Sequence, residues 1–137
     1  MQVAIRYFTE TGHTKKLGER LGGAIGVEAK PLTEPIDEKV DILFLGSSYY
    51  AFGIAKEVKD FISKLDKEKV GKIVVFGSAA MLNSTIKKVK KEAEKVGIEV
   101  DDREFHCKGE YKAFNKGRPN EDDFKAIEKF GQEIIGK

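Results

Sequence analysis

At 137 residues, 40% of them hydrophobic and 35% charged, the chain suits one compact domain, 1–137, and leaves no room for a second core. Lys and Arg number 25 against 23 Asp and Glu, and a net charge of +2 creates no field that would recruit nucleic acid. No apolar run approaches the roughly 20 residues that cross a bilayer, no leader-like segment opens the chain, and the single cysteine, Cys107, has no partner for an internal disulfide, so the expectation is a cytoplasmic protein off the membrane.

The first element is a strand, VAIRYF at residues 3–8, rich in β-branched and aromatic residues. A helix follows from Lys15, with Leu17, Leu21, Ala24 and Ile25 on one face, and Gly26 ends it. Residues 27–32 form a short strand closed by Pro31 and Pro35, and residues 41–48, DILFLGSS, a longer one. The unbroken apolar run in the latter predicts burial on both faces. Ile54, Val58, Phe61, Ile62 and Leu65 then line a second helix, and KIVVFGS, residues 72–78, is a second doubly buried strand. Ile86, Val89, Ala93 and Val96 line a third helix, residues 98–105 alternate as a strand near an edge, and Phe124, Ile127, Phe130 and Ile134 line a last helix.

Strands alternating with crossovers predict an α/β fold, a doubly wound parallel sheet of five strands with helices on both faces. In such sheets ligands bind beyond the carboxyl ends of the strands. Four segments fall there: TETGHT (residues 9–14), SSYYAFG (47–53), GSAAMLN (77–83) and the longest irregular segment, CKGEYKAFNKGRPN (107–120). In TETGHT, Thr9, Thr11 and Thr14 surround Gly12 where the first strand gives way to the first helix. Threonines at such a junction serve as caps and turn formers. Hydroxyls at alternate positions, with backbone amides turned outward by a glycine, also surround an anion at a helix amino terminus, and a phosphate fits. Glu10 is then expected to contribute its amide and turn its carboxylate to water.

Thr9, Thr11, Gly12 and Thr14 match a T/S-x-T-G-x-T phosphate loop, and with the strand before it and the helix after it the whole chain resembles the flavodoxins, in the short-chain form. The resemblance implies a strand order of 2-1-3-4-5 and FMN as cofactor, its ribityl phosphate held by Thr9, Glu10, Thr11, Gly12, His13 and Thr14. SSYYAFG resembles the family's second flavin loop, which implies contacts to one face of the ring from Ser48, Tyr49, Tyr50, Ala51, Phe52 and Gly53. Capping of the sheet is the plainer role for each of these aromatics. Ser78, Ala79 and Ala80 allow the backbone close to the ring, although the third loop lacks a stacking tyrosine; Met81, Leu82 or the last loop would supply that wall, and core packing is the plainer role for Met81.

Rival motifs fail on context. GQEIIGK, residues 131–137, has P-loop spacing but ends the last helix, and a receiver domain would carry acids at the end of strand one where Tyr7 and Phe8 stand. His13, His106 and Cys107 are too few and scattered for a metal cage. The function implied is one- or two-electron transfer by bound FMN between redox protein partners, with no side chain acting as acid or base. The alternatives are an FMN-dependent NAD(P)H oxidoreductase acting on a small molecule, and a binding module that has lost its cofactor, against which the intact TETGHT argues. A monomer or weak dimer is expected, and Lys108, Lys112, Lys116 and Arg118 make the last loop basic, either as a solvated surface or as a dock for an acidic partner or substrate anion.

Overall fold

The computed structural model describes residues 1–9, 12–48, 54–79, 85–108 and 116–136. In chain order the elements are β1 (Val3–Tyr7), α1 (His13–Ile25), β2 (Ala29–Pro31), β3 (Val40–Ser48), α2 (Lys56–Ser63), β4 (Val70–Ala79), α3 (Ile86–Lys95), β5 (Glu99–Lys108) and α4 (Glu121–Ile134). All neighbouring strands pair in parallel, in the order β2-β1-β3-β4-β5. This is the expected doubly wound sheet.

Strand periodicity decides which core each residue enters, because successive side chains leave opposite faces of the sheet. Leu43 and Leu45 of β3 and Ile73 and Val75 of β4 meet Val58 and Ile62 of α2 and Val89 and Ala93 of α3. Their neighbours Ile42, Phe44, Val74 and Phe76 point the other way, to Leu17, Leu21 and Ile25 of α1 and Ile127 and Ile134 of α4. Central strands enclosed in this way must be apolar throughout, and each fully buried Leu, Ile or Phe contributes roughly 1.5–3 kcal/mol. Arg20 ties the two helices of the second face together at their surface: its guanidinium donates to Glu121 at 2.8 and 2.9 Å and to Glu128 at 3.2 Å, and lies 5.1 Å over the Phe124 ring.

No helix joins β2 to β3, and a buried arginine takes over the coverage there. Arg6 donates to the carbonyls of Glu34 (2.8 Å), Pro35 (3.0 Å) and Ile5 (3.0 Å), pinning the crossover across β1. Burial lowers its pKa, against the pull of Glu34, Asp37 and Glu28.

Several element boundaries differ from the sequence expectation. α1 begins at His13 rather than Lys15, because Gly12 already supplies the turn. β2 shrinks to three residues, ended by a proline that has no N–H for the ladder, though Leu32 still donates to Tyr7 at 3.0 Å. β5 runs to Lys108 instead of Phe105, so the irregular segment does not start at Cys107, which is buried in the α1–α4 core. The reason is a bulge: the register passes from Ile73↔Val100 directly to Val75↔Glu104, and β5 absorbs the surplus around Asp101, Asp102 and Arg103 before pairing resumes. Asp101 holds the bulge by accepting from the Arg103 amide and side chain and from Lys72 at 2.8–3.0 Å.

Candidate functional site

The carboxyl ends of the central strands do not finish level. β1 ends at Tyr7, opposite Gly46, whereas β3 continues to Ser48, which pairs with Ser78 of β4, and Ala79 pairs with Lys108. The Phe8 amide makes one more bond, to the Gly46 carbonyl at 3.0 Å. The ends of β1 and β3 are thus offset by two residues, about 6–7 Å at strand rise, beside the start of α1.

The turn into α1 is built by Thr9 and Gly12. The Thr9 hydroxyl accepts the Gly12 amide at 2.9 Å, closing the loop between them. Gly12 sits at φ 90° and ψ −5°, a left-handed conformation open to glycine at little cost. A Cβ there would meet nothing within 4 Å, so conformation and not space requires the glycine. The helix then begins without a side-chain cap, with no acidic residue in its first turn and with Lys15 and Lys16 exposed. Among the described residues its amino-terminal dipole end thus carries positive charge, the arrangement that suits an anion.

The threonines divide by role. Thr9 holds the turn, and a hydroxyl that accepts one bond keeps its own proton to donate. Thr14 is fully buried, its methyl lying over Gly46 of β3. A Cβ on Gly46 would come 2.5 and 2.6 Å from the Phe76 ring and 2.9 Å from the Thr14 methyl. The bare backbone of β3 is therefore what allows α1 to seat its first turn so close to the sheet. Glycine inside an apolar strand marks such close approach, a signal that Gly46 carries in the sequence itself.

Of the other expected site residues, His13 opens α1 and Ser78 is buried near the end of β4. Ser48 and Ala79 end their strands. Glu10, Thr11, Tyr49, Tyr50, Ala51, Phe52, Gly53 and Ala80 lie outside the described residues, as do Met81, Leu82 and Lys112. The structure brings together the ends of β1, β3 and β4 and the start of α1. No helix among the described residues is long and apolar enough to cross a membrane, and none of the described His, Cys, Asp and Glu residues cluster as metal ligands.

At the end of the last loop an ion pair and a capping box reduce its basic charge. Arg118 forks onto Asp123 with two bonds of 2.7 Å, and Asp123 also accepts from the Asn120 amide at 2.8 Å, while Asn120 accepts from the Asp123 amide at 3.1 Å. Burial pushes the Asp123 carboxyl up, but the Arg118 fork and the Asn120 amide outweigh it and the net shift is downward. Arg118 thus belongs to the capping of α4 and not to an open basic loop. The Asn-x-x-Asp spacing at 120–123 resembles a capping box and was legible as such. Cys107 lies nearby, and burial, with Asp123, pushes its thiol up to about 12, so it stays neutral and inert at physiological pH.

No family model and no curated protein sequence matches the chain. Solved structures do match in fold. A flavodoxin from the domain Archaea superposes with a TM-score of 0.73 at 15% identity, over 99% of this chain and 97% of that one. Oxidised flavodoxin 2 from Bacillus cereus gives 0.72 at 16% identity, over 99% of each chain. A flavoprotein from Lactobacillus acidophilus in complex with FMN gives 0.64 at 17% identity, over 78% of this chain and 92% of that one. With its sheet order, its crossovers and its strand-to-helix turn at Gly12, the chain has the flavodoxin fold.

Proposed function

We propose that the chain binds FMN at the carboxyl end of its sheet and carries electrons between redox proteins. The observation that carries this reading is the amino terminus of α1, which opens on left-handed Gly12 beside the offset ends of β1 and β3 with no acidic residue in its first turn. The first-turn amides, the Thr9 hydroxyl and the charges of Lys15 and Lys16 would hold the phosphate. The shared fold supports the choice of ligand, since one of the matching structures is a complex with FMN. The ring is assigned to residues 48–53 and 78–80, the ends of β3 and β4 and the segments that follow them, as the resemblance implies. FMN supplies one- and two-electron chemistry, and the chain supplies binding and electrostatics.

Electron carriage is preferred over catalysis on a small molecule because flavodoxins match the chain over nearly its whole length, and two ionisable groups near the end of β5 are already committed. Cys107 is a buried neutral thiol and Asp123 is locked as a carboxylate under Arg118. Titration of the purified chain with FMN tests the reading: one equivalent should bind with micromolar or tighter affinity and quench the flavin fluorescence. A flavin that stays fully fluorescent at equimolar concentration rejects it. Rapid bleaching of the loaded protein by NADH or NADPH alone would instead move the assignment to an NAD(P)H oxidoreductase.

A further inference from the structure

The surface of α3 gathers positive charge where helix energetics disfavour it. Its first turn contains Lys87 and Lys88 and no acidic residue, and Lys91 follows one turn after Lys87. All three are exposed and none joins an ion pair among the described residues. Cations at a helix amino terminus oppose the dipole by about 0.3–1 kcal/mol each, and like charges four residues apart repel. α4, at the same end of the sheet, shows the favourable solution, with Glu121, Asp122 and Asp123 in its first turn. Lys90 is neutralised by Asp102 at 2.5 Å, on the side facing β5. Lys108 ends β5 and alternates with Cys107, which faces the α1–α4 core, so it falls on the α3 face of the sheet. The uncompensated cations thus border the loop that leaves β4, at the end of the sheet assigned to the cofactor.

We propose that the amino-terminal half of α3, with Lys108 beside it, docks the acidic face of a redox protein partner and steers it to the cofactor end. This rests on the FMN reading above. Lys87 and Lys91 stand about 6 Å apart along the convex face of a helix, a spacing that engages carboxylates spread over a surface and encloses no small anion. Four cations on a chain of net charge +2 are too few for a nucleic-acid stripe.

The test measures oxidation of the photoreduced, FMN-loaded protein by plastocyanin, an acidic copper protein, and by cytochrome c, a basic one, between about 10 and about 300 mM salt. The plastocyanin rate should fall about tenfold as salt rises, and the cytochrome c rate should not fall. The triple variant Lys87→Glu, Lys88→Glu, Lys91→Glu should exchange the two behaviours, while Lys64→Glu with Lys67→Glu, at the carboxyl end of α2, should leave both unchanged. Since the triple variant complements the helix dipole, it should melt no lower than the parent, which removes misfolding as an explanation. A second readout needs no flavin: copper-free plastocyanin added to the isotope-labelled apo chain should shift the amide resonances of α3's first two turns. If FMN binds but rates, salt dependence and shifts are unmoved by the triple variant, the docking surface is rejected and the cofactor reading stands. If the shifts appear and FMN does not bind, the surface stands and the cofactor reading is rejected. Tight, salt-sensitive binding of a single-stranded oligonucleotide at the same lysines, with no response to plastocyanin, also overturns the proposal.

Discussion

Replacing Gly46 with alanine should destabilise the protein, although glycine-to-alanine changes in ordinary strand backbone usually help. An alanine methyl would lie 2.5 and 2.6 Å from two atoms of the Phe76 ring and 2.9 Å from the Thr14 methyl. Comfortable carbon contacts are about 3.5–4.0 Å, so the ring must retreat by about 1 Å. Phe76 is fully buried in the core it shares with Leu17, Phe44 and Ile127, so it has little room to move. Overpacking of this kind costs about 1–3 kcal/mol, offset by about 0.4–1 kcal/mol from the stiffer unfolded chain. The net loss is about 1–2 kcal/mol, which for a domain of this size lowers Tm by about 3–10 °C. Urea titration and thermal melts of Gly46→Ala, Phe76→Leu and the double variant provide the measurement. Leucine vacates the ring's volume, so the double variant should lose less than the sum of the singles by about 1 kcal/mol. FMN affinity should fall more in Gly46→Ala than in Ile134→Ala, a core change at the far end of α4, because only the former lifts Thr14 and the first turn of α1. Strict additivity, or a Gly46→Ala protein as stable as the parent, would refute the close-approach reasoning.

Three further outcomes follow from the geometry. Thr9→Val removes the acceptor for the Gly12 amide and should cost about 1 kcal/mol of stability and weaken FMN binding, whereas Thr9→Ser should retain both, as isothermal titration would register; equal affinities for Val and Ser would remove Thr9 from the site. Asp123 holds its proton less tightly folded than unfolded, so its contribution is complete above the ordinary carboxylate range near about pH 3.9 and is lost as pH falls through the lower, folded value. The stability gap between parent and Asp123→Asn in urea should therefore be widest near neutrality and narrow below about pH 4; a gap independent of pH would contradict the Arg118 pairing. Cys107, buried and with its thiol pushed up to about 12, should resist a thiol-specific chromogenic reagent at pH 8 and react at once in guanidinium. Equal rates in both solvents would place it at the surface.

The periodicity of the chain was sufficient to specify the parallel, doubly wound sheet. A run such as ILFL has no polar position to turn toward water, so β3 and β4 had to lie between two layers of helices. The order of the strands entered with the resemblance carried by TETGHT, and the observed β2-β1-β3-β4-β5 agrees with it. Local chemistry also determined the turn at Gly12, because a glycine between a strand and a helix declares a left-handed link.

Long-range geometry decided the remainder. Three threonines read alike in the sequence, yet Thr9 closes a turn and Thr14 is buried against β3, a difference set by Gly46 and Phe76 more than thirty residues away in the chain. The charges of the last loop read as one basic cluster until Asp123 took Arg118 out of it. Periodicity is a property of neighbours along the chain and survives in any fold that buries the same faces. Which hydroxyl packs, which cation is neutralised and which lysines stay uncompensated on α3 depend on contacts that exist only once the sheet has brought distant segments together.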